Sequence, residues 1–306
     1  MKVVFFGTPD FAVASLEAII KSDHDLVGVV TAPDKPAGRG KKIHSSAVKD
    51  CAVENNLLVL QPTNQKNPEF VTELASLKAD IFVVVAFRMM PEVVWDMPKH
   101  GTFNLHGSLL PQYRGAAPIH YAVINGEKET GVTTFFLRHE IDTGDIILQE
   151  STPIGENETT GDVYNRLMEI GAKLVTKTLD MVEDGKLTPL AQNENQELKS
   201  APKIFKDDCK IDWSLSAQTV HNKVRGLSPF PGAFTTWDGK TFKVHQTLMA
   251  SEISGKPGEL IRDGKKLYVA CAEGGIELVS IQMEGKKRMD VVSLLNGVSE
   301  IPEKLF

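Results

Sequence analysis

The sequence predicts a doubly wound α/β domain with a mostly parallel sheet, followed by a smaller C-terminal β-barrel domain of the oligonucleotide-binding type. Three observations predict it. Residues 3–6 form an apolar run, helical apolar spacing follows at Phe11, Ala14, Leu16, Ala18 and Ile19, and residues 26–31 form a second run. That β-α-β order closes on a parallel sheet. Residues 80–87 are almost uninterrupted Val, Ile and Phe, the pattern of a central strand covered on both faces. Beyond Asp207 the apolar runs shorten and alternate, at 241–245, 258–261, 266–270 and 275–282, with glycine-containing turns between them, which is the pattern of a small barrel.

Taken in order, the first strand leads through GTPD into the first helix; one glycine and a proline there are no GxGxxG, so a dinucleotide site has no motif behind it. Residues 32–43, APDKPAGRGKKI, carry two prolines, two glycines and four basic side chains and predict an exposed, mobile, cationic loop, either ordinary solvated surface or a phosphate contact. Ser45 or Ser46 caps a helix to about residue 55. A strand at 57–60 and a helix at 68–77 follow. Met89 and Met90 after the central strand read as core filler, ahead of a brief helix at 91–95. Later come a helix at 119–125, strands at 131–137 and 146–149, and a long helix at 160–184. Residues 187–205 are polar and aperiodic, hence a linker. The expected division is 1–188 for the α/β domain, 189–206 for the linker and 207–306 for the barrel.

Composition narrows the class. With 42% apolar and 24% charged residues, the 306-residue chain buries an ordinary core. Its longest apolar run, residues 81–87, is far short of the roughly 20 residues of a membrane span, and no signal peptide is evident. A net charge of −6 argues against coating nucleic acid, although the chain from Phe205 onward, with 14 Lys+Arg against 13 Asp+Glu, leaves room for a basic face. Cys51, Cys209 and Cys271 have no ligand spacing, so neither a disulfide framework nor a metal site is expected, and a cytoplasmic monomer is.

The chemistry concentrates in FNLHGSLLPQYRGAAP, residues 103–118. Asn104 and His106 are two apart on a strand and share a face, beside a loop rich in special backbone conformations. Both could also be local caps. Downstream, DTGD places Asp142 at a tight turn, where an Asp ordinarily caps its own backbone.

Together NLHGSLLPQYRGAAP, GVTTFFLRHEIDTGDI and PAGRGKK resemble the 10-formyltetrahydrofolate-dependent formyltransferases, over essentially the whole chain, with a Rossmann-like catalytic domain. The resemblance implies Asn104, His106 and Asp142 as the catalytic set. It implies folate contacts at Ser108, Leu109, Leu110 and Pro111, and at Phe87 and Arg88, where relatives usually have Tyr or Phe and then Gly. It implies that Arg39, Lys41 and Lys42 of the basic loop contact transfer RNA. The implied reaction moves the formyl group of 10-formyltetrahydrofolate to the amino group of methionine on initiator methionyl-tRNA, with no metal. The alternative is a small-amine acceptor, an amino sugar or ribonucleotide, which needs neither PAGRGKK nor the barrel. Relatives also tend to have Gly-Leu ahead of DTGD, where this chain has Glu140-Ile141.

Overall fold

The computed structural model describes residues 1–37, 42–195, 197–298 and 300–306, which divide into two units. The first comprises Met1–Gly115, Gly131–Thr152 and Tyr164–Ser200; the second comprises Ala116–Thr130, Pro153–Val163 and Ala201–Phe306.

In chain order β1 (Lys2–Gly7), α1 (Asp10–Ile20) and β2 (Asp25–Val30) form the expected β-α-β opening. Residues 35–37 and 42–44 of the basic segment are strands: β3 (Lys35–Ala37) and β4 (Lys42–His44) pair antiparallel, with Ala37 opposite Lys42. Next come α2 (Ala47–Glu54), β5 (Val59–Leu60), α3 (Pro68–Ser76), β6 (Ile81–Val85), α4 (Glu92–Trp95) and β7 (Thr102–His106). Ser46 caps α2, its hydroxyl accepting from the Lys49 amide. β8 (Arg114–Gly115), α5 (Pro118–Ile124), β9 (Glu129–Phe136), β10 (Ile146–Pro153), α6 (Thr160–Glu183) and β11 (Ser200–Ala201) follow.

The main sheet of the first unit runs β10-β9-β7-β6-β1-β2-β5. β1 is parallel to both β2 and β6, and β6 to β7. The chain winds outward from β1 to β5, then returns to β6 on the other side of β1. That reversal is the switch point beside which open α/β sheets hold ligands. Phe6, Phe82 and Leu74 fill the core under β6, together with Met90. Met89, expected as filler, is 75% exposed instead, because only one of two adjacent residues leaving a strand can turn inward.

The sequence lets Asp142 and the Asn104/His106 pair converge from adjacent strand ends, and the strand direction does not. β9 is antiparallel to β7, with Phe103 opposite Phe136 and His106 opposite Thr133. The end of β9 that leads to Asp142 therefore lies beside the start of β7, not beside His106.

The second unit continues with α7 (Ala217–Gly226), β12 (Ala233–Trp237), β13 (Lys240–Ala250), β14 (Leu260–Asp263), β15 (Lys266–Ala270), β16 (Gly275–Met283), β17 (Met289–Asp290) and α8 (Val291–Gly297). β12 lies in a stretch that reads as a Pro/Gly turn. The strand order is β12-β13-β16-β15-β14, with β17 on β16. Residues 303–306 bridge its two edges: the Leu260 amide donates to the Glu303 carbonyl, and Thr236 and Phe306 exchange both backbone bonds, at 2.7 and 3.2 Å. The sheet thereby becomes a barrel around Trp213, Val224, Trp237, Phe242, Ile276 and the fully buried Leu305. Arg225 of α7, 5% exposed, donates to the Gly155 and Glu158 carbonyls and to Asn222, which ties segment 153–163 to the helix. Among the described residues no helix is long and apolar enough to cross a membrane.

Candidate active site

The site grows from the last residues of β7. Strand alternation puts Asn104 and His106 on one face, the face of Phe135, which stands opposite Asn104. Asn104 is half-buried, and its amide makes no side-chain hydrogen bond to the described residues. The His106 ring, 6% exposed, meets Phe135 edge-on at 6.4 Å. Its Nε2 lies 2.9 Å from the Tyr113 carbonyl oxygen, and a ring nitrogen facing a carbonyl must carry the hydrogen and donate it. In the neutral ring the lone pair is then on Nδ1, which faces Asp142 Oδ2 at 3.8 Å. That gap is too long for a direct hydrogen bond.

Asp142 reaches this position by a fold-back of residues 137–145 over the sheet. A Cβ on Gly144 would fall 1.6 Å from the Phe136 carbonyl oxygen and 3.3 Å from the Phe135 ring, so only glycine lets the turn lie on that face. Gly144→Ala is expected to displace Asp142 and lower turnover at least 100-fold, measured as kcat with far-UV circular dichroism unchanged. The Asp142 backbone is left-handed, at φ 56, and its Oδ2 accepts the Gly115 amide at 3.0 Å. Tyr113 and Gly115, two residues apart, thus hold the imidazole and the carboxylate respectively, and their spacing sets the gap between the two. Ala86, at φ 47, and Tyr113, at φ 61, are also left-handed; such non-glycine conformations cost roughly 1–3 kcal/mol each and gather at functional sites.

The loop between His106 and Gly115 is internally braced. The Ser108 hydroxyl donates to the Gln112 carbonyl at 2.6 Å, and Thr133 donates to the Ser108 carbonyl at 2.6 Å. Gln149 donates to the Leu110 carbonyl at 2.9 Å. Ser108, Leu110 and Pro111 are buried and Leu109 is half-buried, so this segment offers a ligand mainly a rigid apolar wall. Phe87 and Arg88 stand beyond the end of β6. Phe87 packs on Phe6 with ring centroids 5.6 Å apart, and the Arg88 guanidinium donates to the Pro62 and Thr63 carbonyls. Glu140 is exposed. Arg39 and Lys41 lie outside the described residues, and Lys42 sits on β4.

Gln192 escaped the sequence reading because it stands in a polar stretch with no periodicity. Its Nε2 donates to the carbonyls of Asp142 and Gly144 at 2.7 and 2.8 Å, while Arg114 donates to its Oε1. A cavity of about 550 Å³ opens beside the turn, lined by Trp95, Leu137, His139, Thr143 and Gln192 among others. Cys51, Cys209 and Cys271 are buried and unpaired. Burial raises all three thiols, Cys271 to about 11, leaving them in the unreactive form.

An amide, an imidazole and a carboxylate gathered on one face of a doubly wound sheet can together polarise a carbonyl and move a proton. The chain belongs to the formyl transferase family: residues 1–179 match Formyl transferase, and residues 203–299 match Formyl transferase, C-terminal domain. A methionyl-tRNA formyltransferase of Flavobacterium johnsoniae is 49% identical over 304 residues, covering 98% of this chain and 96% of that one. Another from Parabacteroides distasonis is 50% identical over 315 residues, covering 99% and 97%. Among solved structures, the sugar 3N-formyl transferase WlaRD, crystallised with dTDP and 5-N-formyl-THF, superposes with a TM-score of 0.68 at 23% identity, covering 94% of this chain and 99% of that one. HypX of Aquifex aeolicus with tetrahydrofolic acid gives 0.64 at 20% identity, over 96% of this chain and 47% of that one. At those identities the likeness is one of fold.

Proposed function

We propose that this protein transfers the formyl group of 10-formyltetrahydrofolate to the free amino group of methionine on initiator methionyl-tRNA. The observation that carries the reading is near-full-length identity, through both units, to relatives named for that reaction, joined to a site chemically suited to it. In this reading the first unit, which includes residues 189–200, does the chemistry, and the barrel of the second unit engages the transfer RNA.

The residues suit the steps. The amine attacks the formyl carbon as a neutral nucleophile, and negative charge grows on the formyl oxygen. Asn104, whose amide has no hydrogen-bond partner among the described residues, donates to that oxygen. His106 holds the adjacent position, its far nitrogen committed to Tyr113. Asp142, across a 3.8 Å gap, takes up the amine proton directly or through one water and returns it toward the departing nitrogen. The wall of Ser108, Leu109, Leu110 and Pro111, with Phe87 and Arg88, holds the folate. Arg39, Lys41 and Lys42 contact transfer-RNA phosphates.

A formyl-transfer assay with charged initiator transfer RNA against a nucleotide-linked amino sugar tests the acceptor. Activity on the sugar alone overturns the reading. Arg39→Ala is expected to weaken transfer-RNA use and to reduce the salt slope of its binding by about one unit; an unchanged slope returns the basic segment to ordinary surface.

A further inference from the structure

We infer that Gln192 is a positioning residue for formyl transfer: it holds the Asp142 turn by its backbone while Arg114 fixes the orientation of the Gln192 amide. The inference rests on the reading that Asp142 serves catalysis.

Three observations carry it. First, the two ends of the Gln192 amide face opposite chemistries. Nε2 meets two carbonyl oxygens, of Asp142 and Gly144, which only accept. Oε1 meets Nε and Nη2 of Arg114, at 3.0 and 2.7 Å, which only donate. The amide therefore has one productive orientation. Secondly, its neighbours Ala191, Asn193 and Glu194 are exposed, whereas Gln192 turns inward. Thirdly, the network closes on itself. Arg114 reaches the Asp142 backbone through Gln192, and Gly115, the next residue, binds the Asp142 carboxylate. Asp142 is thus held by its backbone and by its carboxylate from two consecutive residues, and Tyr113 immediately before them holds His106. A left-handed Asp needs such over-determination to persist. The Arg114–Glu194 ion pair, whose acid is 61% exposed, adds little.

The test is a pair of variants of the full-length protein, Gln192→Glu and Gln192→Ala. Glutamate keeps the shape and strengthens the contact with Arg114, but it cannot donate to the two carbonyls. Both variants are expected to lose kcat by roughly 100-fold, the scale of a misplaced reacting group, while KM for folate and for transfer RNA stays within about twofold and the melting temperature holds. Wild-type kcat in Gln192→Glu overturns the inference, since then only the Arg114 contact or the shape matters. A fall in kcat matched by a fall in melting temperature and a rise in both KM values also overturns it, as mere support of the fold. Asp142→Asn run alongside separates the two failures. If that variant is inactive and Gln192→Glu is active, this inference alone fails; if Asp142→Asn is fully active, the reading of the site fails.

Discussion

Asp142→Asn is expected to lower kcat by roughly 10²–10⁴-fold, the usual worth of a positioned acid–base group, with folate binding retained. The amide keeps the shape and can still accept the Gly115 hydrogen bond, so the turn stays folded while the proton acceptor is gone. Asn104→Ala removes the amide donor and is expected to cost about 10²–10³-fold, some 3–4 kcal/mol of transition-state stabilisation. Single-turnover formyl transfer with saturating folate measures both. Asn104 makes no side-chain hydrogen bond to the described residues, so its replacement leaves none of them unpaired and the loss reports on the reaction. Wild-type rates in both variants would dismantle the proposed site.

Leu305→Ala is expected to destabilise the second unit by about 2–5 kcal/mol, the cost of emptying a fully buried leucine site. Leu305 is 0% exposed, and its amide donates to the Gly258 carbonyl at 2.8 Å. It anchors the segment that joins β14 to β12. Chemical denaturation followed by tryptophan fluorescence measures the effect, because Trp213 and Trp237 both lie in this core. A shift below about 1 kcal/mol would mean that the barrel seam contributes little.

Much of the architecture was legible because each signal was local. The unbroken apolar run at 81–85 and the helical spacing after residue 10 needed no partner to be read. The serine pair 45–46 announced α2, and the structure makes Ser46 its cap. What escaped depends on partners distant in sequence. β12 hides in a stretch punctuated by prolines and glycine, and only its pairing with β13, Ala233 opposite Val244, marks it as a strand. The direction of β9 is set by β7, not by its own residues, which is why the sequence suggested adjacent strand ends for Asp142 and the structure uses a fold-back instead. The pairing of residues 35–37 with 42–44 was obscured by proline and glycine in the same way. In the site, Asn104, His106 and Asp142 were marked by motif, whereas Gln192 carries no signal except its place in space. The Tyr113 carbonyl and Gly115 amide are backbone groups, to which side-chain chemistry gives no clue.

The interleaving of the second unit has a consequence in time. α5 packs on α7, where a Cβ on Gly226 would meet Ile124 at 2.4 Å. About a hundred residues separate the two helices, so at roughly 5–20 residues per second the ribosome delivers α7 some 5–20 s after α5. During that interval α5 waits without this partner, as does segment 153–163 without Arg225. The second unit cannot mature as a late, self-contained addition, and nascent-chain lengths ending between the two helices are where protease sensitivity and chaperone capture should peak.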